Sequence, residues 1–177
     1  MVREKKERLV IGLMSGTSAD GIDAVLTRIT GNGLDIRVEE QAFLFLPFPA
    51  EVHERIIRVA GGSYGGAEEL CKLSNYLGQQ YAKACVMLCE QAGIATADVD
   101  LAGNHGQTVW HMPKTAEYLK AQVRGTLQIG EDAYIAEALG CPVVGDFRVR
   151  DMAAGGLGAP LVPYVEYLLY RRTDKTV

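Results

Sequence analysis

Three short stretches of the 177-residue chain gather glycine with hydroxyl, carboxylate, imidazole and guanidinium side chains. The first is Met14-Ser15-Gly16-Thr17-Ser18-Ala19-Asp20-Gly21-Ile22-Asp23, with two glycines, three hydroxyls and two carboxylates. Successive backbone N–H groups in such a turn can form an anion-binding concavity. Its hydroxyls can donate to phosphate oxygens, and an aspartate can hold Mg²⁺ directly or through water. The spacing matches neither GxxxxGK[ST] nor GxGxxG, which sets aside the P-loop and Rossmann dinucleotide readings. A plain tight turn, with Ser, Asp and Gly as its formers, is the competing reading.

The second stretch is Gly103-Asn104-His105-Gly106-Gln107-Thr108-Val109-Trp110-His111, which holds the one tryptophan and two of the three histidines. A sugar site uses an aromatic face with amide and imidazole groups that fix hydroxyls. A polar loop anchored by Trp110 would explain the same residues. The third is Asp146-Phe147-Arg148-Val149-Arg150-Asp151, followed by a run rich in glycine to Pro160. Its two aspartates and two arginines suit either a structural ion-pair set or a ligand, and the glycines let backbone approach a ligand closely. The run leads into a helix start, which favours a negative group. His53, placed on a helix after Pro49, is expected to be a surface or half-buried residue without a chemical role.

Strands and turns must position these stretches. Leu9 to Met14 reads as a buried strand and Ile22 to Ile29 as a second, with Ile22, Ala24 and Leu26 on one face. Gly31-Asn32-Gly33 marks a turn, and Leu34 to Leu46 a third strand stopped by Pro47. Three strands with short connections predict an antiparallel meander. Val52, Ile56 and Val59 line a helix over 51–60. Leu73, Leu77, Tyr81 and Leu88 belong to the apolar stripe of a long helix over 67–92, with Gly93 at C′. Val99 to Ala102 reads as a short strand that releases the second stretch as a loop at the sheet's end. Thr126 to Ile129 reads as a strand, 131–139 as a helix, and 141–145 as a buried strand ending in the third stretch. Leu161, Val165, Leu168 and Leu169 form the stripe of a last helix, with Pro163 near its start and Arg171-Arg172 in its final turn. The alternation of strands and helices is an α/β plan with a mixed sheet.

Composition narrows the class. Apolar residues are 48% and charged residues 23%, as in ordinary globular domains. Lys and Arg number 18 against 22 Asp and Glu, so the net charge of −4 disfavours a nucleic-acid surface. No apolar run is long enough for a membrane span. The start through Arg8 is a charged tail with no signal-peptide core, and the chain ends at Val177 without a closing feature. Cys71, Cys85, Cys89 and Cys141 lack zinc-ligand spacing and read as core thiols in a cytoplasmic protein. Glycine is in excess, at 20 residues, and clustered in the three stretches.

Together, MSGTSADGID, then GNHGQTVWH with TLQIGE, then VVGDFRVRDMAAGGLGAPLVP resemble the anhydro-N-acetylmuramic acid kinase family, in the family's order and over nearly all of the chain from Leu9. The resemblance implies an RNase H-like α/β lobe over 9–177 of the actin/hexokinase/Hsp70-like fold, preceded by a tail over 1–8. It implies an ATP- and Mg²⁺-dependent kinase of peptidoglycan recycling. Such an enzyme opens the 1,6-anhydro ring with water and phosphorylates O6, giving N-acetylmuramic acid 6-phosphate. Gly16, Thr17, Ser18, Ala19, Asp20, Gly21, Ile22 and Asp23 would contact ATP, with Asp20 and Asp23 on the Mg²⁺ side. His105, Gln107, Thr108 and Arg148 would contact the sugar, and Arg148 suits a lactyl carboxylate. Leu157 stands where the family commonly carries Gln, so a polar contact there is absent. The family's Asp-Thr-Gly-Pro motif does not occur in the sequence. The general base, the adenosine pocket and a second lobe are therefore expected beyond Val177, and the fragment alone is expected to be inactive. The partners implied are the sugar and ATP, with no nucleic acid or membrane, and a second copy of the full-length chain. A kinase for another anhydrosugar such as levoglucosan, or a non-catalytic actin-like nucleotide-binding module, are the alternatives.

Overall fold

The computed structural model describes residues 6–63 and 65–171. Most of the charged tail and Arg172 lie outside them. The elements follow as β1 (Glu7–Ser15), β2 (Gly21–Thr30), β3 (Arg37–Pro47), α1 (Ala50–Ala60), α2 (Gly66–Ala92), β4 (Leu101–Tyr118), β5 (Ala121–Ile129), α3 (Ala133–Leu139), β6 (Val143–Val144), α4 (Phe147–Ala153) and α5 (Val162–Tyr170). Short 3₁₀ turns at Gly33–Asp35 and Thr96–Asp98 complete the order.

The strands form one six-stranded mixed sheet in the order β3-β2-β1-β4-β5, with β6 also paired to β4. The first three strands are an antiparallel meander, while β4 runs parallel to β1 and β6, and β5 returns antiparallel on β4. One face is covered by α1 and α2. Period-two alternation delivers Ile22, Ala24 and Leu26 from β2, and Ile11 and Leu13 from β1, to this face, all nearly fully buried. They meet Val52, Ile56 and Val59 of α1 and Leu73, Leu77, Tyr81 and Leu88 of α2. Each large side chain buried this way contributes roughly 1.5–3 kcal/mol of apolar transfer. Gly93 ends α2 in the left-handed conformation at φ 67°, as a C′ glycine does. Cys85 and Cys89 sit in this core, with Cys141 half-buried and Cys71 exposed. Burial raises the Cys85 thiol to about 12, so it packs as a neutral apolar group.

Four expectations are corrected. The second stretch is no loop: β4 carries on through it for 18 residues. The third strand begins at Arg37, because Gly33–Asp35 closes a 3₁₀ turn in which the Asp35 N–H donates to Asn32 O at 3.0 Å. The strand read over 141–145 pairs only at Val143–Val144, and Val144 is exposed. The charged residues after it form α4, a seven-residue helix hidden by the strand-like alternation of Phe147-Arg148-Val149-Arg150. The stripe read on the last helix is present, but α5 buries none of its residues.

Candidate functional site

The link between β1 and β2 is a tight turn. Ala19 N–H donates to Gly16 O at 3.1 Å, and Ala19 itself is fully buried at φ 51°, a region that non-glycine residues rarely occupy. Three contacts hold it there. Ser18 Oγ donates to Asp20 Oδ1 at 2.8 Å, Phe48 N–H donates to Asp20 O at 2.9 Å, and His53 Nδ1–H of α1 donates to Ala19 O at 2.9 Å. The half-buried His53 therefore braces the turn rather than standing idle. Thr17, Ser18 and Asp20 are exposed on the turn's outer side, and Asp23 is exposed on β2. Ile22 points wholly into the core, and Gly21 is buried beside it, so these two offer a ligand backbone only.

Directly beside the turn, β4 carries an extra residue. Leu13 pairs Asn104 and Ser15 pairs Gln107, so β1 advances by two positions while β4 advances by three. The added residue accommodates a β-bulge at Gly106, whose φ is +68° and whose Cβ, if present, would lie 3.0 Å from Ile129 O. The bulge lets both Asn104 and Gln107 face inward. With Ser15 they are the buried polar residues among those described, at 2%, 1% and 1% exposed. Gln107 Nε2 donates to Gly16 O at 3.0 Å and Thr108 O at 3.2 Å, tying β4 to the turn. Its Oε1 is buried and has no hydrogen-bond partner among the described residues. Gln107 thus supports the turn from beneath, while Thr108 Oγ1 accepts from Gln128 Nε2 at 3.2 Å.

Ser15 Oγ lies 2.5 Å from the hydroxyl of Tyr81, which burial holds in its neutral form. The Tyr81 ring packs so closely on Gly130 that a Cβ there would lie 2.3 Å from Cε2. Ser74 of α2 takes the next contacts: its Oγ accepts from Gly130 N–H at 3.1 Å and its carbonyl from Glu131 N–H at 3.1 Å. In this way α2 seats the TLQIGE segment against β4. Asn104 extends the network, accepting Gly106 N–H on Oδ1 at 3.0 Å and donating from Nδ2 to Asp132 Oδ1 at 2.7 Å. Burial raises the Asp132 carboxyl above its ordinary value, the Asn104 bond opposes this, and Asp146 and Glu131 add to the rise.

On the other side of β4, His105 meets Arg148 of α4. Arg148 Nε–H donates to His105 Nε2 at 2.8 Å, and Nη1 donates to Gly158 O at 2.7 Å. Gly158 N–H donates to Asp151 Oδ2 at 2.8 Å. The four charged residues of the third stretch make no ion pair among the described residues. Instead Arg148 and Asp151 hold the glycine-rich loop at one residue, Gly158, through its carbonyl and its N–H. The sequence signals named Arg148, His105 and Asp151; they missed His53, Tyr81 and Asp132 as parts of the site. For Tyr81 and Asp132 the available signal was a glycine or amide adjacent in the fold but distant in the chain, which spacing does not reveal. Among the described residues no three His, Cys, Asp or Glu side chains group to hold a metal ion.

The family profile described as "Anhydro-N-acetylmuramic acid kinase" matches residues 8–177. A relative of that name from Caldanaerobacter subterraneus subsp. tengcongensis is 50% identical over 99% of this chain and 44% of its own length. Relatives of the same name from Salinibacter ruber and Clostridioides difficile are 38% identical over 98% and 41% identical over 94% of this chain. The chain spans about 44% of the length of the curated relatives it matches. Among solved structures, CasPhi-2 bound to crRNA and phosphorothioate-DNA aligns over 76% of this chain and 25% of its own at 14% identity, with a TM-score of 0.20.

Proposed function

This chain belongs to the anhydro-N-acetylmuramic acid kinase family, and we propose that it forms one wall of the cleft of an ATP-dependent hydrolytic sugar kinase. The observation that carries the reading is the convergence of the Gly16–Asp20 turn and the β4 bulge, joined by Gln107 Nε2 to Gly16 O at 3.0 Å. Two of the three motifs that mark the family thus meet in space, although 91 residues separate their joined members.

In this reading the lobe is RNase H-like, the first of two in an actin/hexokinase/Hsp70-like fold. The exposed Thr17 hydroxyl and the turn's backbone N–H groups receive ATP phosphate oxygens, and Ser18 joins them when its hydroxyl turns away from Asp20. Asp20 and Asp23 supply exposed carboxylate oxygens of the kind Mg²⁺ prefers. Being two, they would hold it together with water and phosphate. The ion would neutralise charge developing on the transferred group. Arg148 pairs with the lactyl carboxylate of 1,6-anhydro-N-acetylmuramic acid, and Thr108 of β4 contacts the sugar. Gln107 acts from below by holding the turn.

The chemistry couples two bonds. Water adds to C1 as the bridging C1–O6 bond breaks, and O6 takes the γ-phosphoryl group as ADP leaves. The products are N-acetylmuramic acid 6-phosphate and ADP. The reading assigns the base that takes the water's proton to the part of the relatives that this chain does not span. Both walls are needed to align ATP and exclude water, so the 177-residue chain alone should be inactive. Sugar-dependent ADP release by the full-length protein tests the proposal. Turnover of 1,6-anhydro-N-acetylmuramic acid is expected; ATP consumption with no dependence on that sugar would overturn it.

A further inference from the structure

His105 and Arg148 make an unusual pair, because both side chains are ordinarily hydrogen-bond donors when charged. Arg148 donates from Nε to His105 Nε2 at 2.8 Å, and a guanidinium has no acceptor to offer in return. His105 Nε2 must therefore carry a lone pair. Its Nδ1 lies 2.9 Å from Gly106 O, an acceptor, so Nδ1 carries the hydrogen. The two contacts together specify one form of the ring: neutral, with hydrogen on Nδ1. Arg148 is fixed at a second point through Nη1 to Gly158 O. Its Nη2 has no protein partner among the described residues. With Nε taken by His105, the side-on fork of the guanidinium is closed, and an incoming carboxylate must bind through the outer end that includes Nη2.

We propose that His105 is a positioning residue which, as a neutral acceptor, sets Arg148 for a carboxylate-bearing sugar, and that protonating His105 releases Arg148 and weakens binding of that sugar. This rests on the sugar-kinase reading above. Besides Arg148, which it contacts, His105 shares its surrounding recesses with Asp132 at the start of α3, Asp146 just before α4, and Arg150 and Asp151 on α4. The aspartates favour an imidazolium and the arginines oppose it. Burial is the main cause that lowers the His105 pKa below 6.5, Arg148 adds to it, and the Gly106 carbonyl works against it. The acceptor form therefore persists through neutral pH and is lost only in acid, where imidazolium N–H would face guanidinium N–H.

The test uses His105→Leu, which removes the acceptor, and His105→Gln, whose amide oxygen can accept from Arg148 without titrating. In the full-length protein, His105→Leu should raise KM for the acidic anhydrosugar about tenfold or more, the scale of a lost charge-assisted contact, with a smaller change in kcat. His105→Gln should recover most of that loss and remove the rise in KM that acid is expected to cause in the natural protein. A Gln variant that fails to rescue, or that keeps the acid limb, would overturn the inference while leaving the kinase reading intact. The pair is also read without turnover by ¹⁵N NMR of the 177-residue chain. The expected signature is a His105 ring protonated at Nδ1 at pH 7 and a slowly exchanging Arg148 Nε–H. That proton should exchange fast in the Leu variant and slowly in the Gln variant. A ring protonated at Nε2 would refute the pairing even if no anhydrosugar is turned over.

Discussion

Asp132 keeps a carboxyl in a recess shared with Asn104, His105 and Asp146. Its folded pKa lies above 3.8, the value it has when exposed. The neutral carboxyl's contribution to stability is therefore complete below that value and is lost as pH rises through the folded pKa. Asp132→Asn keeps an oxygen for Asn104 Nδ2 and removes the titration. It should raise the urea midpoint at pH 7 and flatten its dependence on pH above 4; an unchanged pH profile would contradict the assignment. Gly106 makes a second residue-scale case. Alanine there would hold a left-handed backbone beside Ile129 O, 3.0 Å from the new Cβ. A loss of about 2–3 kcal/mol in urea unfolding is expected, combining the left-handed penalty with the crowding. A loss below about 0.5 kcal/mol would show that the bulge is not constrained there. Gly106 was marked in the sequence only as a member of the second glycine-containing stretch, and its left-handed bulge was not legible there. The sequence held no hint of Asp132, whose environment is assembled from β4, α3 and α4.

At the scale of elements, α1 does more than cover the sheet. His53 reaches from it to Ala19 O at 2.9 Å, and Phe48, just before it, donates to Asp20 O. The turn's unfavourable φ at Ala19 is thus held by the chain that follows β3. His53→Ala removes one hydrogen bond, worth about 1 kcal/mol. In the full-length protein it should raise KM for ATP several-fold, with kcat less affected, whereas His53→Asn, which retains a donor, should lie between. Equal KM values for ATP in all three would sever α1 from the turn's function. Strands β1 and β2 and helices α1 and α2 were legible because each carries several apolar residues at one period. Helix α4 was not, since seven residues give only two turns and Phe147-Arg148-Val149-Arg150 alternates as a strand would. β4 was truncated for a related reason: Gly103-Asn104-His105-Gly106 is poor in strand formers, and pairing with β1, β5 and β6 overrides that preference.

For the whole molecule, apolar surface is distributed unevenly. The α1–α2 side of the sheet is closed, while α5 shows Val162, Tyr164, Val165, Tyr167 and Tyr170 at least half exposed. A groove between α4 and α5, walled by Phe147, Ala154, Leu161, Val162 and Val165, continues this surface. A contiguous apolar area of this kind is rare on a self-sufficient monomer. The 177-residue chain should therefore bind a hydrophobic dye and self-associate at micromolar concentration, read by fluorescence and by sedimentation. A monomer that leaves the dye dark would show that this surface is satisfied within the chain. The helical stripe itself was visible in the sequence as Leu161, Val165, Leu168 and Leu169. What it packs against was not, because periodicity reports that a face is apolar and says nothing of its partner.

The extra residue in β4 also changes how the strand should tolerate length variation. Even-numbered positions Ala102 and Asn104 face the core before Gly106, and odd-numbered Gln107 and Val109 face it afterwards. Removing Gly106 itself would leave plain alternation on both sides, with the same side chains inside. Removing Thr108 would instead carry the exposed Trp110 into the place of the buried Val109, putting an indole where a valine now packs. Deletions two residues apart in this strand should thus differ sharply: one shortens a kink, and the other turns the remainder of the strand inside out.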